Sequence, residues 1–501
     1  MKALKDNLRY IFGFKLKKIR QKKGLGLKEL SKLTGLSISY LSEIEKGLKY
    51  PKPEKIFALS EALDVSFESL VSIKTDEELN PLKDLINSPF MLEFPFELFD
   101  ISPHDVLNLV NESPQKANAF LRTLYDIGQI YDMRVEHFYF AAIRTYQKMN
   151  MNYFPELEQS ANNFIKKYKL NSSRSKLKGQ LSNILKTKYN YFIDEEILDR
   201  YNELCTLRSV YIEGKSPKLL LNSKLLESQK IFILAKELGY NYLELTDRTP
   251  TSSWLQVDSF DQVLNNFKAS YFAGAIMVKE SSIKNDLKML FNNKKWNNNN
   301  FVTIMKKYDA TPEMFVYRIG HIIPKFFKIN EFHFLRFNNK VGETNFRLIK
   351  ELNMSPVIAP HSIGLNEHYC RRWLGIGLLN KLAAKQQDNS YKGTLVAAQK
   401  AKFIESDAEF FTISLARPLA LSSDTNSSMI IGFLINDNFK DKVKFWNDPD
   451  VPSTDINETC ERCGLTNEEC NERVAPPLIY NQNQTLKIRA SVLEKLKKDL
   501  E

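Results

Sequence analysis

The 501-residue sequence contains no long apolar run. A secretory signal needs about 7–15 uninterrupted apolar residues and a spanning helix about 18 or more. The N-terminal stretch MKALKDNLRYIFGFKLKKIRQKKG interrupts every apolar run with lysine or arginine. The expectation is a cytoplasmic protein with no membrane partner. Cysteine is scarce, five in all, and odd in number. Over this length that excludes a disulfide-stapled secreted domain. The six histidines, at 104, 137, 321, 333, 361 and 368, show no HxxxH spacing, and each reads as an ordinary surface or core residue. No glycine-rich phosphate loop stands out. What is present is ample core material: 43% apolar and 26% charged residues exclude a disordered chain. The length admits several domains.

Basic residues exceed acidic ones by 71 to 60, and the excess is local. Residues 1–74 hold 16 Lys and Arg against 8 Asp and Glu, so eight of the eleven net charges sit there. A concentrated surplus of this kind is the electrostatic footprint of a phosphate-binding module. The local pattern agrees. An amphipathic helix is predicted from Phe12 to about Lys22, with Phe14, Leu16 and Ile19 as core candidates. A short helix follows between Gly26 and Gly35. Ser37 is an N-cap residue, Leu41 and Ile44 point inward, and Gly47 ends the next helix. A proline-started helix and a final short one complete five helices. Two short helices across a tight glycine turn, with three supports, make a helix-turn-helix domain.

Residues 10–73 resemble the Cro/Xre family of bacterial and phage repressors, a lambda-repressor-like five-helix fold. Leu30, Gly35, Leu36, Ser37, Tyr40, Leu41, Glu45, Gly47, Pro51, Leu59, Ala62, Leu63 and Val65 carry the resemblance. It implies that the second helix of the motif enters the major groove of an operator. Ile38, Ser39 and Glu43 would then face base edges, with Ser42 close by and Ser37 at the helix start. Lys46 and Lys28 would meet phosphates, and Arg20 and Glu45 hold the family's helix-bridging ion-pair positions. The chain departs from the family at Gly26 and Leu27, where a Thr or Ser cap and a Gln are usual. Its base-facing set also lacks Arg, Asn and Gln, so bidentate readout is absent. Specificity would rest on Ser39, thymine-methyl contact by Ile38, and DNA shape.

Residues 75–89 read as a linker and 90–170 as a helical connector and dimerisation region. An aromatic stripe including Tyr125, Tyr131, Phe138, Tyr139, Phe140, Tyr146, Tyr153 and Phe154 is expected to form core or a dimer seam. Within 171–329, LLESQKIFILAKELGYNYLEL and FKASYFAGAIMVKESSI resemble two helices of the ImmA/IrrE-like zinc peptidases. That chemistry needs two His one turn apart, a Glu between them and a third ligand. Here Lys236, Glu237 and Tyr240 stand at the motif positions and Lys268 at the third-ligand position, so the resemblance implies an inactive domain. The segment NNKKWNNNN (292–300) reads as a loop, and 309–327 as a helix with a threonine-proline start.

From 330 to 501 the style changes. FHFLRF, FFTISLARPL and SMIIGFLIN alternate as strands do, so an α+β domain is expected at the end of a multidomain, mainly α chain. Cys460, Cys463 and Cys470 share one polar loop, and Cys370 is the fourth candidate ligand. Four thiolates suit a closed structural zinc site or an iron–sulfur cluster. Cys205, in CTLRSVYI, is read as a buried residue of a helical stretch. Arg371 and Arg372 are candidates for a phosphate contact and equally for solvated residues.

The chain order resembles the short-chain fatty-acyl transcriptional regulators. The carrying residues are Cys460, Cys463, Cys470, Arg473 and Pro476, with Cys370 and Trp373 upstream. The resemblance implies a homodimeric regulator with no enzymatic activity, a short-chain acyl-CoA as effector of the C-terminal sensor, and a 4Fe-4S cluster on the four cysteines. Zinc there, a regulator that senses redox state or iron, and a zinc peptidase remain the alternatives.

Overall fold

The computed structural model describes residues 2–72, 135–171, 173–251, 257–357, 367–388, 393–404, 406 and 408–500. The linker 75–89, the connector up to 134, and the His104, Tyr125, Tyr131 and His361 positions lie outside the described residues. The chain divides into two compact units, Met1–Tyr146 with Asp258–Phe260, and Gln147–Val257 with Asp261–Glu501.

In the first unit, local signals set the helix ends. α1 spans Lys2–Lys22, α2 Leu27–Thr34, α3 Ile38–Glu45, α4 Pro53–Ala62 and α5 Phe67–Val71. Gly35 ends α2 at φ 68°, a left-handed conformation that favours glycine. Ser37 caps α3 by accepting from the Tyr40 amide at 3.3 Å. Pro53 opens α4, and Ser66 caps α5 by accepting from the Ser69 amide. Phe12, Leu16, Leu30, Leu41, Ile44, Leu59, Leu63 and Leu70 form one buried core, with Ile19 packed at its edge. α1 begins about three turns earlier than its apolar pattern suggests, and the Phe14 side chain is not among those described. α6 (Val135–Met149) follows, and its Tyr139 is buried against Phe260, with ring centroids 6.2 Å apart.

The second unit begins with a helical layer on a small sheet. α7 (Pro155–Lys167), α8 (Arg174–Tyr189), α9 (Glu227–Tyr242) and α10 (Phe260–Met277) pack with β1 (Phe192–Asp194), β2 (Ser209–Ile212) and β3 (Lys218–Leu221). β3 is central, parallel to β1 and antiparallel to β2. A buried ion pair links α7 to the later helix α13 (Pro312–Phe327): Arg318 Nη2 lies 3.0 Å from Glu158 Oε2, and the Tyr271 hydroxyl donates to Glu158 Oε1 at 2.8 Å.

α11 (Glu280–Phe291), α12 (Asn298–Lys307) and α13 cover one face of a six-stranded sheet. Its strands are β4 (Phe332–Lys340), β5 (Phe346–Asn353), β6 (Leu395–Phe403), β7 (Glu409–Leu419), β8 (Ser422–Leu434) and β9 (Ser453–Ile456). The order is β5-β4-β8-β7-β6-β9, antiparallel except for β6 and β9. α14 (Leu374–Asp388) packs on the opposite face with Trp373, Phe337 and Ile430. Within the sheet, β8 leaves room for its cross-strand neighbour at Gly432, where a Cβ would stand 2.4 Å from the ring of His333 on β4. A short helix α15 (Asp437–Lys442) follows β8, and a 23-residue helix α16 (Leu478–Leu500) follows the cysteine loop.

The mainly helical N-terminal domain and the mixed α/β remainder agree with the expected class. Three local expectations do not hold. The asparagine run is only partly loop: Asn297 accepts from the Asn299 amide at 2.8 Å and starts α12 at Asn298. Cys205 is exposed, just after a 3-10 turn (Asn202–Leu204), and Ser209–Ile212 is strand rather than helix. α16, with no buried side chain, has no counterpart in the sequence reading because it carries no core stripe against a partner.

Candidate functional site

The N-terminal unit presents α3 on its surface. Ser37, Ile38, Ser39 and Lys46 are exposed, Ser42 and Glu43 half-buried, and Lys28 is exposed near the start of α2. Ile38 keeps 46% of its surface, a large apolar side chain left for a partner. The helix is anchored from behind by Leu41 and Ile44, both fully buried. Arg20 of α1 clamps its last residue, with Nε 2.6 Å from Glu45 Oε1 and Nη2 2.9 Å from Oε2. Burial works against the guanidinium less than the Glu45 hydrogen bond supports it, and its pKa is raised.

Two features of this face escaped the sequence reading. Glu43 is paired with Lys49, Nζ to Oε2 2.7 Å, which compensates the one acid on the reading face. Lys55 lies 4.1 Å over the Tyr40 ring, and Lys49 is 5.7 Å from it. Their signal was the basic stretch after Gly47. At Gly26, where a family cap is missing, the Glu29 carboxylate accepts from the Gly26 amide at 2.6 Å instead.

The peptidase-motif positions fall on adjacent helices. Lys236, Glu237 and Tyr240 share α9, and Lys268 is half-buried on α10. Glu237 is engaged: Arg248 Nη2 is 2.5 Å from Oε1, and the Tyr191 hydroxyl donates to Oε2 at 3.3 Å. The Arg248 guanidinium lies between the Tyr211 and Tyr240 rings, 3.6 and 4.1 Å from their centroids. Lys236 donates to Asn266 Oδ1, and burial lowers its ammonium pKa to about 8.

The four candidate thiols are all buried. Tyr369 and Thr459 form an antiparallel bridge, with Cys370 N donating to Glu458 O at 3.0 Å and Cys460 N to His368 O at 2.8 Å. This pairing gathers the 370 segment and the 460 loop, and Cys370 lies within electrostatic reach of Cys460 and Cys463. Arg473 closes the loop, donating to Cys460 O and Cys463 O at 3.1 Å each and to Leu465 O. Around it, Arg462 grips Glu367, His368 Nδ1 meets Glu461 Oε1 at 2.7 Å, and Trp373 Nε1 donates to Asn457 O at 2.9 Å. Burial pushes the Cys370 thiol up to about 11. Among the described residues no group of three or more His, Cys, Asp or Glu stands ready to hold a metal ion. Arg371 donates to Thr344 O, and Arg372 pairs with Glu472 at 3.0 Å, so both have protein partners.

Comparison with known proteins bears on the first of these sites. A helix-turn-helix family model matches residues 16–70. An uncharacterized HTH-type transcriptional regulator y4dJ of Sinorhizobium fredii is 35% identical over 71 residues, which are 14% of this chain and 91% of that protein. The chain belongs to the helix-turn-helix transcriptional regulators. This regulator also matches the HTH-type transcriptional regulator SinR of Bacillus licheniformis, 36% identical over 69 residues, 14% of this chain and 62% of that protein. A Mycobacterium tuberculosis transcriptional regulator of known structure aligns over 68% of this chain and 93% of its own, at 14% identity and a TM-score of 0.46. No described helix of the regulator is long and apolar enough to cross a membrane.

Proposed function

We propose that this protein is a sequence-specific, double-stranded-DNA-binding transcriptional regulator that works as a cytoplasmic homodimer under a small-molecule effector. One observation carries the reading: α3 is locked from behind by Leu41, Ile44 and the Arg20–Glu45 pair, while Ile38 and Ser39 stay open. A recognition helix needs this combination, since phosphate contacts set register and side chains at base edges set sequence. In this reading Lys28, Lys46 and the start of α3 at Ser37 meet the backbone. Ile38, Ser39, Ser42 and Glu43 face the bases.

The effector belongs to the C-terminal α/β part, with a short-chain acyl-CoA as the candidate that the Cys460–Pro476 motif suggests. The four cysteines would hold the regulator's metal centre. Four thiols suit iron or zinc by donor type, but such a centre would have to draw the sulfurs of the two paired segments into one group, which the described residues do not form. A 4Fe-4S cluster is the favoured occupant and zinc the alternative. In this reading the chain acts without enzymatic activity: Glu237 is held by Arg248, and Lys236, Tyr240 and Lys268 stand where the peptidase motif has its metal ligands. The alternative is a regulator that senses redox state or iron through a cysteine-ligated centre.

Anaerobic purification with iron, zinc and sulfide assays tests the centre. Bound metal lost on Cys370→Ser and Cys463→Ser is the expected result, and a metal-free folded protein contradicts it. DNA affinity that responds to acyl-CoA separates the effector reading from the redox one.

A further inference from the structure

Four cations converge on one carboxylate where α13 meets the six-stranded sheet. Arg336 of β4 stands opposite Lys350 of β5, and Arg417 of β7 opposite Ser427 of β8. Arg336 Nε donates to Ser427 Oγ at 3.1 Å, which places Ser427 on the same face as Arg336. From α13, Glu313 Oε1 is 2.5 Å from Arg336 Nη1, and its Oε2 is 3.6 Å from Arg208 Nη2. Lys350 Nζ lies 4.1 Å over the ring of Tyr317, one turn along the same helix.

Arg208, Arg336, Lys350 and Arg417 against Glu313 leave three positive charges. Glu313 is the acid that acts on both Lys350 and Arg417, while Arg336 and Arg208 act on both in the opposite sense. The Arg417 side chain makes no ion pair or hydrogen bond among the described residues, and two buried polar atoms here, Tyr317 Oη and Asn338 Oδ1, have no partner. Concentrated like charges beside apolar walls are costly unless an anion joins them. Solvent reaches the place: the Arg208 and Glu313 side chains are 38% and 20% exposed, and Lys350 lies on the surface. Surrounding protein nevertheless lowers the Lys350 ammonium pKa to about 8, by desolvation and by the nearby Arg336 and Arg208 charges, against the opposing pull of Glu313.

We propose that this cluster is a binding site for a multiply charged phosphate-bearing ligand, with Lys350 and Arg417 as its principal partners. Glu313 holds Arg336 and sets the net charge so that a diphosphate of about three negative charges neutralises the site. The Tyr317 hydroxyl supplies a further donor. The inference rests on the reading that the C-terminal part takes up a small effector, and adds a place and a charge for it.

The test is calorimetric titration of the full chain with inorganic pyrophosphate, on wild type, Lys350→Gln, Arg417→Gln and the control Lys381→Gln. Saturable binding, weakened tenfold or more by the first two and unchanged in the control, is expected. No binding to wild type, or equal binding by all four, overturns the site. Lys350 is exposed on an outer strand, so Lys350→Gln is the variant expected to fold normally, and far-ultraviolet circular dichroism checks both. DNA affinity measured with acyl-CoA in parallel separates the two readings. An acyl-CoA response with no pyrophosphate site overturns this inference and leaves the effector reading standing. A pyrophosphate site that fails in the two variants, with no acyl-CoA response, leaves this inference standing and overturns acyl-CoA as effector.

Discussion

Arg20 and Glu45 join the first helix to the end of α3 through two parallel contacts, 2.6 and 2.9 Å long. Their side chains are only 11% and 6% exposed. A two-point guanidinium–carboxylate contact fixes orientation as well as distance. Arg20 also donates to Leu25 O at 2.7 Å, so one side chain sets α1, the turn before α2, and α3.

Arg20→Ala strands a buried carboxylate, and the expected loss is about 3–5 kcal/mol, read by urea unfolding of the N-terminal unit. The double variant Arg20→Met/Glu45→Leu removes both charges and is expected to recover much of that loss. Equal stability of the single and double variants contradicts this.

Gly13 shows how closely α1 approaches α3. A Cβ there would stand 2.2 Å from Ile44 O and 2.9 Å from Glu45 O, both backbone atoms that cannot swing away. Gly13→Ala is therefore expected to push α1 off α3, costing at least about 1–3 kcal/mol. It is also expected to weaken DNA binding, because it displaces the end of α3. Unchanged melting and unchanged affinity contradict it.

The N-terminal unit was legible because its determinants are local. Ser37, Gly35 and Gly47 fix helix ends within a few residues, and Leu41 and Ile44 repeat at helical spacing. The central strands were legible for a similar reason, since Phe332–Phe337 and Phe410–Leu415 are long enough to bury both faces. Cys205 was misread because its surroundings alternate between turn and strand on a scale shorter than any periodicity. The start of α12 was missed because four consecutive asparagines look like loop until Asn297 turns its side chain back as a cap. The gathering of Cys370 with Cys460 depends on the Tyr369–Thr459 bridge, which spans about ninety residues of sequence. The cations around Glu313 come from four separate strands and loops, so no window of sequence contains them.

Glu313 carries a pH dependence. Burial raises its pKa, but Arg336, Arg208, Lys350 and Arg417 outweigh burial and hold it at about 2, against 4.5 for an ordinary glutamate. A depressed acid contributes stability above its unfolded pKa, and that contribution is lost as pH falls through the folded value. Stability is therefore expected to fall between pH 4.5 and about 2, with part of the slope absent in Glu313→Gln. Identical acid limbs in wild type and variant contradict this.

Lys28 and Lys46 are exposed and sit at the ends of the two motif helices. Lys46→Ala is expected to weaken binding to all DNA sequences alike and to reduce the salt slope of log affinity by about 1. Ile38→Ala and Ser39→Ala are expected to relax preference at individual base pairs, by less than the roughly 1–3 kcal/mol that a bidentate contact supplies, while leaving the salt slope unchanged. Fluorescence anisotropy across a salt series checks both. A base-specific effect of Lys46→Ala reverses the assigned roles.

The central claim is sequence-specific recognition of DNA by paired copies of α3. The most direct measurement is selection of bound duplexes from a random-sequence pool by the full-length protein, followed by sequencing. The expected result is an enriched two-fold-symmetric site whose half-sites lie about one helical turn apart, with the enrichment lost in an Ile38→Ala/Ser39→Ala variant. A pool that shows no enriched sequence after repeated rounds, or the same enriched site with that variant, contradicts it.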